Sequence, residues 1–148
     1  MVQLVYPCIM NHLTNEPSAY LQQHVSNPIE WHPWSKETLN KAISQNKWIL
    51  ISIGYSTCHW CHVMLKEIFE DRDIADKMNE YFINIKVDRE EYPGVDNAYM
   101  SASIALTGTG GWPLNIVCLP NAKPIWASTY LPKENWIRAI NKLHEKFL

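Results

Sequence analysis

A chain of 148 residues with 47% hydrophobic and 19% charged residues has the length and composition of one globular domain that folds without disulfide or metal staples. Thirteen Lys and Arg stand against fifteen Asp and Glu, scattered without a basic run or stripe, which argues against nucleic acid as a partner. The apolar runs fall far short of the ~20 residues that span a bilayer, and the opening MVQLVYPCIM has neither the positive start nor the small-residue cleavage site of an export signal; no membrane segment and a cytoplasmic location are expected.

Residues 1–34 read as an N-terminal arm packed on the core through Trp31 and Trp34, with a short helix near Ser18 to His24 and Cys8 as a free thiol. Residues 35–148 read as the body of a single globular unit. From Ser35, a helix N-cap, SKETLNKAISQ places Leu39, Ala42 and Ile43 at helical spacing. WILISIG (48–54) is short, continuous in apolar character and rich in branched residues, as expected of a central strand covered on both faces. From Cys61 onward Met64, Leu65, Ile68 and Phe69 recur at three and four, so the segment after that strand is a helix.

DIADKMNEYF continues in helical pattern and leads into INIKVD (83–88), a strand in which Ile83, Ile85 and Val87 alternate with polar residues. After REEYPG comes a helix around Val95 to Leu106, ended by a glycine cluster. LNIVCL, a turn at PNAK and PIWASTYL form an antiparallel hairpin. Ile137, Ile140, Leu143 and Phe147 give one apolar face to a C-terminal helix. The order α-β-α-β-α-β-β-α is that of an α/β fold with a central mixed sheet flanked by helices.

The chemistry concentrates in GYSTCHWCHVM (54–64), where two cysteines stand two residues apart at the expected start of a helix. Backbone N–H groups at a helix start have no intrahelical partner and lie at the positive end of the dipole, which stabilises a thiolate. That position makes Cys58 the exposed nucleophile. Cys61, one turn further in, can attack a mixed disulfide formed at Cys58 and expel the reduced product. Thiol–disulfide exchange of this kind needs no cofactor. A protonated His59 would favour the thiolate and the reduced pair, giving a couple more oxidising than the about −270 mV of thioredoxin. GGWP sets Pro113 immediately before the strand LNIVCL, where a cis bond would fit.

Three other readings compete. Cys58, Cys61 and His62 could ligate zinc with Cys118 or His12 as the fourth ligand, although no second ligand pair at short spacing follows. CHWCH also satisfies the C-x-x-C-H string of covalent haem attachment, with His62 as axial ligand, in a chain with no evident haem pocket. The pair could also be two buried core cysteines. Cys118, within LNIVCL, reads as a small core hydrophobe.

NPIEWHPW, SIGYSTCHWCHVM, FED, KVDREE, GGWP and TYLP resemble the N-terminal thioredoxin-like domain of the spermatogenesis-associated thioredoxin-like proteins, a domain of unknown function. The resemblance covers roughly residues 11–132 and implies a thioredoxin-like fold with Cys58 and Cys61 as the redox pair. It implies that Pro113 is a cis-proline facing the dithiol, that the Trp112 backbone offers an edge to an extended substrate, and that Trp60 and Trp112 flank the site. Protein or small-molecule disulfides and thiols would be the partners. Family members usually continue into a glycosidase-like domain, so an alternative is a redox-inactive binding or regulatory module of a larger protein.

Two departures stand out. Thioredoxins place a buried acid six residues before the first cysteine, as proton acceptor for the second, and here that position is Ser52. His59 and His62 are the substitutes by proximity. The family's REERPD is REEYPG here, so Tyr92 and Gly94 break a pattern that Asp88, Arg89, Glu90 and Glu91 keep, as a solvated turn or a polar cluster near the site.

Overall fold

The computed structural model of the chain describes residues 11–147; Cys8 and the Phe147 side chain lie outside the described residues. Five strands form one sheet in the order β1-β3-β2-β4-β5: β1 (Trp31–His32), β2 (Trp48–Gly54), β3 (Phe82–Asp88), β4 (Leu114–Cys118) and β5 (Pro124–Ser128). β3 runs parallel to β1 and β2, whereas β4 is antiparallel to both β2 and β5. The helices are α1 (Ala19–Gln22), α2 (Lys36–Gln45), α3 (His59–Met64), α4 (Arg72–Tyr81), α5 (Pro93–Thr107) and α6 (Lys133–Phe147). A π-helical turn, Leu65–Phe69, continues α3 and buries Leu65, Ile68 and Phe69 together.

Local chemistry sets the helix boundaries. Ser35 Oγ accepts from Thr38 N at 3.1 Å to start α2, and Asn46 ends it in the left-handed region. Asp71 Oδ1 accepts from Ile74 N at 3.0 Å to start α4. Pro93 opens α5, and Gly108, at φ +80°, closes it. Two sequence-level helix faces shift in the structure. Thr38 and Ala42 are the buried residues of α2 while Ile43 is 59% exposed. On α6, Trp136 joins Ile140 and Leu143 inside, and Ile137 is half-buried.

The sheet separates two cores. On one face Ile49, Ile51 and Ile53 of β2, Ile83, Ile85 and Val87 of β3, and Leu114, Ile116 and Cys118 of β4 pack with Tyr99 of α5. On the other, Leu50 and Val117 pack with α3, the π turn, α4, α6 and residues of segment 11–34. That segment supplies Leu13, Tyr20, Leu21, Ile29 and Trp31, none more than 1% exposed, and β1 forms an edge of the sheet.

β3 departs from its sequence pattern. Alternation of apolar and polar residues describes a strand with one wet face, yet all seven residues are buried. Segment 11–34 covers the polar face, and each polar side chain there finds a partner. Asn84 donates to Met78 O at 2.9 Å, Lys86 to Ser52 Oγ at 2.8 Å, and Asp88 accepts from Ser18 Oγ at 2.7 Å.

Segment 11–34 also brings two buried histidines, His24 and His32. Burial is the main cause that lowers His24 to about 2 and His32 to about 4. The unfolded chain takes up these protons near pH 6.5, so stability present above that pH is lost as pH falls, each residue contributing up to about 1.4 kcal/mol per pH unit. The urea midpoint is therefore expected to fall steadily from pH 6.5 to pH 5. A midpoint unchanged over that interval would show that both histidines are protonated inside the fold.

Candidate functional site

β2 ends at Gly54, and Tyr55, Ser56 and Thr57 lead into the first turn of α3. Cys58 is the N-cap of α3, and its Sγ accepts from Cys61 N at 3.3 Å. Cys58 and Cys61 are joined as a disulfide with Cα atoms 5.3 Å apart. Cys58, expected to be exposed, is 3% exposed, and Cys61 is 2% exposed. The correction has a structural cause: in the bonded state both sulfurs belong to a core cluster on which Tyr55, Trp112 and Tyr130 pack.

The Trp112–Pro113 bond is cis. Pro113 is buried just before β4, whose Leu114 pairs with Ile53, the neighbour of Gly54. Trp60 is 50% exposed and packs against Tyr130, ring centroids 4.9 Å apart. Trp112 is half-buried; its Nε1 donates to Asp96 Oδ1 at 2.8 Å, and the Arg89 guanidinium lies 4.4 Å from its ring centroid.

Arg89 Nε also meets Asp96 Oδ2 at 3.4 Å, and Asp88 Oδ1 accepts from Glu90 N. The turn after β3 is thus tied to Trp112 rather than simply solvated. It braces one side of the dithiol from Tyr55, which meets Trp112 edge to face at 5.8 Å.

The two histidines of the motif take different places. His62 Nε2 donates to Ser56 O at 2.6 Å, bracing the loop before Cys58. His59 is exposed, with its ring edge to face with Trp60 at 5.2 Å. Ser52 is fully buried and accepts from Lys86.

The zinc and haem donor sets are not assembled. Cys58 and Cys61 are bonded to each other. Cys118 lies in the core of the opposite sheet face, where burial pushes its thiol up to about 12. His12 belongs to a separate group: His12, Glu30 and His32 each bring one ligand atom to within 4.8 Å of the others, a spacing that could hold a metal ion. Lys41 Nζ, 3.1 Å from His32 Nε2 and 3.8 Å from Glu30 Oε1, already brings a cation to that group. We read it as an ion-pair network tying β1 to α2.

A disulfide between a helix N-cap and the first turn, on a mixed sheet with a cis-proline strand beside it, defines a thioredoxin-fold protein with a CxxC pair. A solved DsbH oxidoreductase superposes with a TM-score of 0.61 at 15% identity, over 79% of this chain and 85% of that one. A thioredoxin from Thermus thermophilus gives 0.64 at 15% identity, over 78% and 87%.

Residues 10–146 match the family described as a protein of unknown function, DUF255, whose model is named for DsbH-type thioredoxins, and the chain belongs to that family. An uncharacterised protein of Caenorhabditis elegans is 50% identical over 125 residues, covering 84% of this chain and 17% of its own length. Human spermatogenesis-associated protein 20 is 45% identical over 132 residues, covering 89% of this chain and 17% of its own length. The chain thus spans about a sixth of the length of these relatives.

Lys86 is the buried polar residue of this site that sequence reasoning missed. Alternation in INIKVD marks Lys86 as outward, and the cover that segment 11–34 supplies has no local signal in that strand.

Proposed function

We propose that this domain is a thiol–disulfide oxidoreductase in which Cys58 attacks or is attacked by substrate sulfur and Cys61 resolves the mixed disulfide. The observation that carries the proposal is the Cys58–Cys61 bond at the start of α3, with the Cys61 N–H directed at Cys58 Sγ. A backbone donor at that place stabilises Cys58 as a leaving thiolate when the disulfide is reduced. Likeness to the DsbH oxidoreductase, and to a putative disulphide-isomerase from Bacteroides thetaiotaomicron at TM-score 0.61, supports the same class.

Substrate would lie along the cis Trp112–Pro113 segment, with exposed Trp60 providing an apolar contact on the other side. His59, exposed beside Cys58, would tune the pair, and His62 would hold the loop through Ser56. A cytoplasmic setting would keep the pair poised between dithiol and disulfide. The length of the relatives supports a second reading, a redox-inactive binding or regulatory module of a larger protein with a glycosidase-like domain.

The test is a trap. A Cys61→Ser chain incubated with oxidised glutathione is expected to accumulate a stable glutathione adduct on Cys58, located by peptide mass mapping that separates it from Cys8, while the natural chain resolves it. Absence of the adduct after reduction of the protein and exposure to the disulfide would remove the oxidoreductase assignment.

A further inference from the structure

A cysteine that resolves a mixed disulfide must lose its proton first, and a buried thiol loses it only to a nearby acceptor. The position that supplies an acid in thioredoxins holds Ser52, whose hydroxyl is not a base at neutral pH. The parallel register β2–β3 sets Lys86 directly beside Ser52, and the antiparallel register β2–β4 sets Asn115 on its other side. These three paired residues form a polar row across the sheet, on the face that carries α3.

Lys86 is 1% exposed, and its Nζ donates to Ser52 Oγ at 2.8 Å. The rings of Tyr20, Trp31 and Phe69 surround the same nitrogen at 5.2, 5.3 and 5.0 Å. Among the described residues it forms no ion pair with a carboxylate. Burial lowers its ammonium from the usual 10.5 to about 7, which leaves a lone pair available near neutrality.

Gly54 joins this pocket to the dithiol. A Cβ at Gly54 would fall 2.3 Å from the Tyr20 hydroxyl and 2.6 Å from Cys61 Sγ, so hydroxyl and sulfur face each other across the hydrogen that glycine carries there. The Tyr20 hydroxyl is buried and has no hydrogen-bond partner among the described residues. Tyr20 thus faces Cys61 with its hydroxyl and Lys86 with its ring.

We propose that Lys86 is the buried proton acceptor of this dithiol, its neutral amine taking the proton that Cys61 releases while the Tyr20 hydroxyl donates to the resulting thiolate. The proposal deepens, and rests on, the thiol–disulfide exchange reading. In the resolving step the Cys61 S–H bond breaks and its proton passes to Lys86 Nζ. The Cys61 sulfur forms a bond to the Cys58 sulfur, and the bond from Cys58 to substrate sulfur breaks with its electron pair going to substrate. The dithiol is oxidised, the substrate disulfide is reduced, and the Lys86 ammonium returns its proton to the leaving thiolate or to solvent.

The other groups facing Lys86 leave it this role. From the turn after α1, His24 is held neutral by burial, with Lys86 and His62 of α3 each lowering it further, and from α1 itself the Tyr20 phenol is raised by burial and by Asp88. From β3 itself Asp88, two residues on, is engaged by Ser18. From β2 and β4, Ser52 and Asn115 are uncharged; from β1 and the π turn come only the rings of Trp31 and Phe69.

The experiment follows resolution of a glutathione adduct on Cys58 between pH 5.5 and 9, in the natural chain and in Lys86→Met, alongside the side-chain NMR signal of Lys86 in the oxidised and reduced natural chain. The resolving rate of the natural chain is expected to rise with an inflection near pH 7. In Lys86→Met it should drop at least about tenfold at pH 7, with the inflection displaced towards the about 8.5 of an ordinary thiol. The Lys86 signal should titrate near neutrality when oxidised and at higher pH when Cys61 is a thiolate, a readout that needs neither turnover nor a folded variant.

Coincident pH profiles for the two chains, or a Lys86 signal that titrates above pH 9 in both redox states, would overturn the role of Lys86 and leave exchange at Cys58 standing. Failure of the natural chain to resolve any adduct would remove both.

Discussion

Cys58→Ser is expected to reduce insulin in the presence of dithiothreitol no faster than dithiothreitol alone, while the natural chain accelerates the reaction. Serine suits this comparison because it is among the best N-cap residues, and its hydroxyl can accept from Cys61 N as Cys58 Sγ now does at 3.3 Å. The helix start survives and the nucleophile is lost, so a fall in rate reports chemistry and not unfolding. The Cys118→Ala chain is the control. Cys118 is fully buried on the opposite sheet face with its thiol pushed up to about 12, so its loss costs about 1 kcal/mol of stability, the scale of small buried deletions, and leaves reduction unchanged. Equal rates for Cys58→Ser and the natural chain would refute dithiol chemistry at this site.

Gly54→Ala should be the most damaging single methyl that can be added near the site. The new Cβ would overlap the Tyr20 hydroxyl at 2.3 Å, Cys61 Sγ at 2.6 Å and Tyr20 Cζ at 2.9 Å. None of these atoms is the free end of a flexible chain: Tyr20 is fully buried, and Cys61 is anchored by α3 and the disulfide. Overpacking a closed core costs roughly 1–3 kcal/mol, and overlap with two side chains at once places this change at the upper end, about 3 kcal/mol by denaturant titration.

Tyr20→Phe in the same chain removes the nearest overlap and leaves the other two. It should recover part of the loss, so the two substitutions couple in a double-mutant cycle. Gly54→Ala with stability equal to the natural chain would mean that α1 and α3 can separate from the sheet at no cost. That would dissolve the enclosed pocket shared by Tyr20, Cys61 and Lys86.

The order of elements from α2 to α6 was readable from the chain because each carries its own signal. β2 is a branched apolar run, α3 starts where the cysteine pair follows that run, and the β4–β5 hairpin brackets a turn-forming PNAK. Polar alternation in β3 and the apolar stripe of α6 were partly legible, but periodicity registers spacing and not contact. It identified Ile140 and Leu143 while passing over Trp136, which the structure buries completely.

Within the site, the spacing of Cys58 and Cys61, their place at a helix start and the proline before β4 were written in local sequence, because they depend on neighbours a few residues apart. The isomer at Pro113, the cover over Cys58 and the partner of Ser52 were not. Each depends on residues brought together from far along the chain: Ser18 reaches Asp88, and Lys86 reaches Ser52. β1 has two residues and no pattern of its own, yet with α1 it covers the polar face of β3 and turns Lys86 from an apparent surface lysine into a buried one. A side chain's charge state follows from how much water remains around it, and that is set by packing, so local spacing places the dithiol while long-range contacts settle what surrounds it.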